Sequence, residues 1–196
     1  VSVPELFPVF LKLAGRRVLV VGAGPVAASK IGALVAAGAD VRVVAPEVRP
    51  EIVGHGVEVD RRPFEAHDLD DAWLVVAAAT PEVNREVARL AEARRVFVNA
   101  VDDPPNATAY LGGIVRRDGV TLAISTAGHA PALAGLLREA LEHVLPADLP
   151  RWLGEARAAR ARWLHDRVPM DARRPLLLRA LNAIYESRGA AAEARS

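Results

Sequence analysis

A chain of 196 residues, 52% hydrophobic and 25% charged, is long enough to bury a core and too apolar to stay disordered. With 25 basic against 24 acidic residues, its net charge of +1 gives no global reason to expect nucleic acid or an anionic membrane as partner. The lack of cysteine excludes disulfides, thiolate metal sites and thiol catalysis.

Residues 1–12 place Pro4, Glu5 and Pro8 among apolar residues without a preceding basic region, so they do not read as a signal peptide. No run reaches about 18 uninterrupted apolar residues, and the expected location is the cytoplasm. The β-branched run at 17–21 ends at Gly22 and predicts a strand; small apolar residues at helical spacing follow from Val26 to Ala37. Gly38 stops that helix, and residues 40–45 read as a second strand closed by Pro46. The first 46 residues therefore form one βαβ unit with parallel strands.

Further on, 57–60 is a weak alternating strand and 72–79 a strong one. A helix with proline in its first turn follows at 81–94, then a strand at 95–99. Apolar runs this continuous predict strands covered on both faces, an α/β fold with a Rossmann-like parallel sheet. After Asn106 the texture changes: 110–116 and 119–125 read as a local antiparallel pair around the polar turn Arg117-Asp118-Gly119, and 131–144 as a helix. From Asp148 onward the chain reads as an Arg- and Ala-rich helical region, interrupted near Pro169 and Pro175, with a fraying end after Gly189.

Gly22-Ala-Gly-Pro-Val-Ala27 fits G-x-G-x-x-A between strand and helix. Gly22 permits the tight turn, Gly24 lets the backbone approach a pyrophosphate, and Ala27 keeps the helix close to the sheet. The acidic residue expected at the end of the second strand is missing: Val44, Ala45 and Pro46 stand there, and Glu47 just beyond is the candidate for the ribose contact. No arginine shares that strand end, although Arg49 is near, so NAD is favoured over NADP.

Carboxyl ends of parallel strands face the ligand crevice. Three segments converge there: Ala78-Ala79-Thr80, whose small residues leave room for a dinucleotide, Asn99 to Asp103, and Ser125 to Pro131. Asp102 or Asp103 could exchange a proton or meet a cationic ligand, but adjacent side chains diverge, so only one serves; the bland reading is a turn cap before Pro104. His129 is a lone loop histidine. No H-x-x-x-H or H-E-x-x-H pattern occurs, so no preformed metal site is expected.

Residues 7–11 (Phe-Pro-Val-Phe-Leu), 22–30, 99–103, 125–134 and Leu137-Arg-Glu139 together resemble the precorrin-2 dehydrogenase family, the siroheme-synthase N-terminal type. The likeness covers most of residues 4–145 in order and spacing. It implies NAD-dependent oxidation of the tetrapyrrole precorrin-2 to sirohydrochlorin and, in bifunctional members, insertion of ferrous iron to give siroheme. It places the functional aspartate on Asp102 and cofactor contacts on Pro25, Val26, Pro46 and Glu47, beside Gly22, Gly24, Ala79 and Thr80 of the crevice. Asn99, Ser125, Thr126, Gly128 and His129 are the substrate-side candidates.

The resemblance also implies a homodimer. The expected organisation is an NAD-binding Rossmann-like domain at 1–112, a small dimerisation segment at 113–146 and a helical C-terminal region at 147–196. Ala127 and Ala130 depart from the glycine and serine of the family's loop. Arg116, Arg117 and Arg138 are candidates for holding substrate carboxylates. The contrasting readings are a noncatalytic NAD-sensing module and a dehydrogenase for another small substrate.

Overall fold

Val18 and Val20 of β1 (Arg17–Val21) point to one face of a sheet and Leu19 and Val21 to the other, and none of the four is more than 2% exposed. A strand buried on both faces needs covering layers on both. The computed structural model describes the backbone of residues 5–193 and the side chains of residues 5–185, so the last three residues of the Ala-rich end lie outside the described residues.

On one face, α1 (Pro25–Ala36) and α2 (Pro50–Val53) set Ala27, Ile31, Leu34 and Ile52 against Val18 and Val20. On the other, α3 (Pro81–Arg94) sets Val87, Ala88 and Ala91 against Leu19 and Val21. The five strands lie in the order β3 (Glu58–Asp60), β2 (Asp40–Val44), β1, β4 (Leu74–Ala77), β5 (Phe97–Ala100), all parallel. Chain order thus reverses between β1 and β4, the point where open α/β sheets bind ligands.

β4 and β5 are shorter or shifted relative to the sequence expectation. Arg95 takes φ 58 as the left-handed cap of α3, so the last strand starts only at Phe97. The free edge of β5 is covered by residues 108–109: Val98 N–H donates to Thr108 Oγ1 at 2.8 Å, and the Thr108 and Ala109 N–H groups donate to the Val98 carbonyl.

Under the β2 to β3 side lies a charge cluster. Asp68 is 1% exposed and accepts from both Arg62 terminal nitrogens and from the Glu65 N–H at 2.8 Å; Arg42 reaches Asp60 and lies 4.0 Å from Asp68. Burial opposes the charge of Asp68, but the Arg62 hydrogen bonds and then the Glu65 N–H outweigh it and hold the carboxyl below its usual range. A depressed carboxyl stabilises the fold above its unfolded pKa, and that stability is lost as pH falls through the folded pKa. Asp68→Asn is expected to cost about 2 kcal/mol at neutral pH through its weakened hydrogen bonds to Arg62. The deficit should shrink below about pH 4, which urea midpoints at pH 7 and pH 3 would measure.

Two compact units emerge: residues 5–112 with Ser125–Ala134, and Gly113–Ile124 with residues 135–193. In the second, β6 (Gly113–Arg117) and β7 (Val120–Ile124) pair antiparallel around Asp118 and Gly119, at φ 50 and 86, the signature of a type I′ turn. α4 (Pro131–Val144) begins in the first unit and ends in the second, where the Arg117 guanidinium donates to the Glu142 and Leu145 carbonyls, both at 2.9 Å. α5 (Leu149–His165) and α6 (Met170–Glu193) follow; Trp152 Nε1 donates to the Tyr185 hydroxyl at 2.9 Å.

The expected break near Pro169 is present, between α5 and α6, whereas Pro175 lies inside α6. It stands one turn in, so its missing N–H removes a single bond near the helix start, and packing against α5 carries the helix past it. Among the described residues no helix is long and apolar enough to cross a membrane.

Candidate functional site

A chain of backbone hydrogen bonds runs across the carboxyl edge of the sheet. Gly22 N–H donates to the Val44 carbonyl at 2.9 Å, Ala78 N–H to Val21 at 2.8 Å and Val101 N–H to Ala77 at 3.0 Å. The segments following β2, β1, β4 and β5 are therefore neighbours. With strands about 4.8 Å apart, the end of β5 lies about 10 Å from the glycine turn.

Gly22 has φ +96, and a Cβ built on it would come within 2.6 Å of the Ala78 carbonyl carbon and 2.8 Å of the Ala79 nitrogen. Only glycine lets β1 turn this close to the end of β4. Gly24 differs: nothing stands within 4 Å of its Cβ position, so its outer side is open. It is the N-cap of α1 with no side chain capping it, and Pro25 occupies the first helical position. The Val26 and Ala27 N–H groups thus have no intrahelical partner, and the helix dipole favours an anion beside them. An open backbone cradle ending in free donors suits a dinucleotide pyrophosphate. Pro25 and Val26 are exposed on this rim, as are Pro46, Glu47 and Thr80; Ala79 is half-buried.

At the end of β5, Asp102 is exposed, takes φ 53, and makes no hydrogen bond or ion pair among the described residues. Asp103 behaves differently, since its Oδ2 accepts from Asn106 Nδ2 at 2.8 Å and so secures the 3₁₀ turn Pro104–Asn106. Of the two adjacent aspartates, one is used by the turn and one faces outward.

The loop 125–130 packs against this turn. A Cβ on Gly128 would stand 3.0 Å from Pro104 Cγ and 3.4 Å from Tyr110 Cε1. Ser125 Oγ accepts from the Ala127 N–H at 3.1 Å and Thr126 Oγ1 from the Ala130 N–H at 3.2 Å, so both hydroxyls shape the loop and the start of α4. Ala127 stands at φ 52 where a glycine would be unstrained. His129 is exposed, without a side-chain partner among the described residues. Asn99 is 8% exposed and donates its amide to the Ala109 carbonyl at 3.0 Å, so it holds the segment that covers β5.

The structure brings together the glycine turn, Ala79 and Thr80, and Asp102 along one edge, and joins the 125–130 loop to the turn after Asp102. Two of the arginines suggested for substrate carboxylates are engaged elsewhere: Arg117 caps α4, and Arg138 pairs with Glu139 at 3.2 Å and Glu142 at 2.9 Å. Arg116 is exposed and unpaired among the described residues. One residue of the site was missed by the sequence reading. Asn84 of α3 is 5% exposed, and its Oδ1 accepts from the Ala79 N–H at 2.9 Å, fixing the loop that leaves β4. An asparagine one turn into the predicted helix, just after the Ala79–Thr80 strand end, was the available signal.

Residues 9–113 match the family model described as "Putative NAD(P)-binding", which covers more than half of the chain. The chain belongs to this NAD(P)-binding family. The matched span contains the glycine turn, Glu47, the end of β4 and Asp102. Curated relatives of this NAD(P)-binding chain include siroheme synthase 1 of Cronobacter sakazakii, 41% identical over 98% of this chain and 42% of that one. A siroheme synthase of Neisseria meningitidis serogroup C is 41% identical over 80% of this chain and 33% of that one. The chain thus spans less than half the length of these relatives. Among solved structures, SirC, a precorrin-2 dehydrogenase, is similar with a TM-score of 0.65 and 25% identity, covering 89% of this chain and 88% of that one.

Proposed function

We propose that the chain is an NAD-dependent precorrin-2 dehydrogenase, oxidising precorrin-2 to sirohydrochlorin on the route to siroheme. The observation that carries this reading is the likeness to SirC, which extends through nearly the whole of both chains instead of stopping at the nucleotide domain. The outward-facing Asp102, on the same sheet edge as the glycine turn and about two strands from it, supplies a group for the chemistry.

Oxidation removes one hydrogen from the macrocycle as hydride and another as a proton. NAD, when bound, supplies the hydride acceptor. The Gly22–Val26 turn holds the pyrophosphate, Glu47 accepts from the adenine ribose, and Asn84 keeps the Ala79–Thr80 loop in place against the dinucleotide. Asp102 accepts the proton or orients the ring from the end of β5. Thr126, Gly128 and His129 border the tetrapyrrole, with Ser125 at the loop's start.

The protein acts as a homodimer in this reading. Support comes from the apolar face of α4, where Leu133, Leu136, Leu137 and Val144 are 43–75% exposed. Insertion of ferrous iron into sirohydrochlorin is the second reaction the resemblance implies, and it would use the same Asp102. Adding ferrous iron and sirohydrochlorin, against a control without protein, tests it.

The main test supplies purified protein with precorrin-2 and NAD, and follows NADH together with sirohydrochlorin. Formation of both in equal amounts is expected. Tight NAD binding without turnover would favour the sensing module instead. Gly24→Asp is expected to weaken NAD binding by about tenfold or more through charge repulsion at the pyrophosphate. It should leave the fold intact, because that Cβ position is open; calorimetric titration with NAD measures the loss.

A further inference from the structure

Only one basic residue, Arg49, stands on the segment from Ala45 to Val53 that follows β2, together with Glu47 and Glu51. Arg49 is tied to the nucleotide turn, since its backbone N–H donates to the Ala23 carbonyl at 3.4 Å, and it forms the N-cap of α2. Its side chain, however, is turned onto its own helix: Nε lies 3.3 Å from Glu51 Oε2, and the terminal nitrogen 2.9 Å from Oε1. Both carboxylate oxygens fill the guanidinium fork, the same geometry with which an arginine grips a phosphate. Glu47 is exposed and makes no hydrogen bond or ion pair among the described residues.

In dinucleotide folds the residues after the second strand meet the ribose 2′ position: an acid accepts from the hydroxyl of NAD, and an arginine accommodates the phosphate of NADP. This loop carries both. We infer that Glu51 sets the cofactor preference, by occupying the fork of Arg49 and leaving Glu47 to meet the ribose. The inference rests on the nucleotide reading of the glycine turn and goes beyond it by naming the residue that discriminates. With Glu51 in place the segment has a net charge of −1 and repels a 2′-phosphate; without it, Arg49 becomes a free donor at the right place. Because an exposed pair of this kind is weak, releasing it need not disturb the fold.

The test is equilibrium binding of NAD and NADP, by calorimetric titration, to the full chain and to two variants. E51Q keeps the shape of Glu51 and removes its charge. It is expected to bind NADP about tenfold tighter and NAD within about twofold of the parent, with the gain eroded by added salt. R49Q combined with E51Q should return NADP binding to the parental level. Normal NAD binding with unaltered NADP affinity in E51Q would overturn the inference, as would a gain that persists in the double variant. If the parent protein binds neither nucleotide, the reading of the glycine turn itself fails, and this proposal fails with it.

Discussion

Gly22→Ala is expected to destabilise the protein by about 4 kcal/mol, combining a backbone at φ +96 that side chains rarely adopt with overlap onto backbone atoms of Ala78 and Ala79. Those atoms belong to a strand end hydrogen-bonded to β1, through Ala78 N–H and the Val21 carbonyl, and cannot move without parting the sheet at its switch point. A domain stable by about 5–15 kcal/mol would lose a large share of its stability. Gly24→Ala supplies the contrast. Gly24 has φ −82 and ψ −171, which any residue adopts, and open space at its Cβ position. Alanine there should match or slightly exceed the parent. Urea unfolding of the two variants separates the roles, and a normal midpoint for Gly22→Ala would mean that the turn does not press on β4. One glycine of the motif serves the sheet, the other the ligand.

The sheet was readable because its strands are buried on both sides. Val18 to Val21 and Leu74 to Ala77 are unbroken apolar runs, and a doubly covered parallel sheet accommodates such runs with both faces buried. Ends were less readable. Arg95 belongs by composition to either helix or strand, and its left-handed cap, a tertiary outcome, decides where β5 starts. Pro175 misled for a related reason: a local rule marks it as a breaker, while the cost is one hydrogen bond near the helix start and the packing of α6 on α5 is a tertiary outcome.

For the site, sequence exposed the backbone part and hid the side-chain part. A glycine pattern advertises a turn because no other residue fits it, as Gly22 demonstrates. Nothing local says whether a polar side chain faces a ligand or its own chain. Asn99 is bonded to Ala109, ten residues on, and Arg117 to Leu145, 28 residues on. The pairing of Arg49 with Glu51 spans only two residues, yet it requires α2, a four-residue helix too short to be recognised by periodicity. Asp102 and Asp103 were equivalent on the page of the sequence, apart from the family resemblance. The 3₁₀ turn separates them by taking one carboxylate for Asn106.

That separation makes the exchange of the aspartates the most informative experiment on the chemistry. Asp102→Ala is expected to lower kcat for precorrin-2 oxidation by about a hundredfold, the lower range for a positioned proton acceptor, with NAD affinity within about twofold because the glycine turn lies about two strands away. Alanine alone is ambiguous, since Asp102 stands at φ 53, where alanine costs about 1–2 kcal/mol and could shift the turn. Asp102→Asn resolves this. Asparagine accepts the left-handed backbone almost as readily as aspartate, but it carries no charge and cannot take up the proton. If both variants lose turnover alike, the carboxylate itself acts on the macrocycle. If asparagine restores it, Asp102 serves by shaping the turn, and the proton leaves by another route. Asp103→Ala completes the comparison: loss of the Asn106 bond should lower stability by about 1 kcal/mol and leave turnover within a few-fold. An inversion, with Asp103→Ala inactive and Asp102→Asn active, would move the chemistry to the carboxylate that the turn now holds.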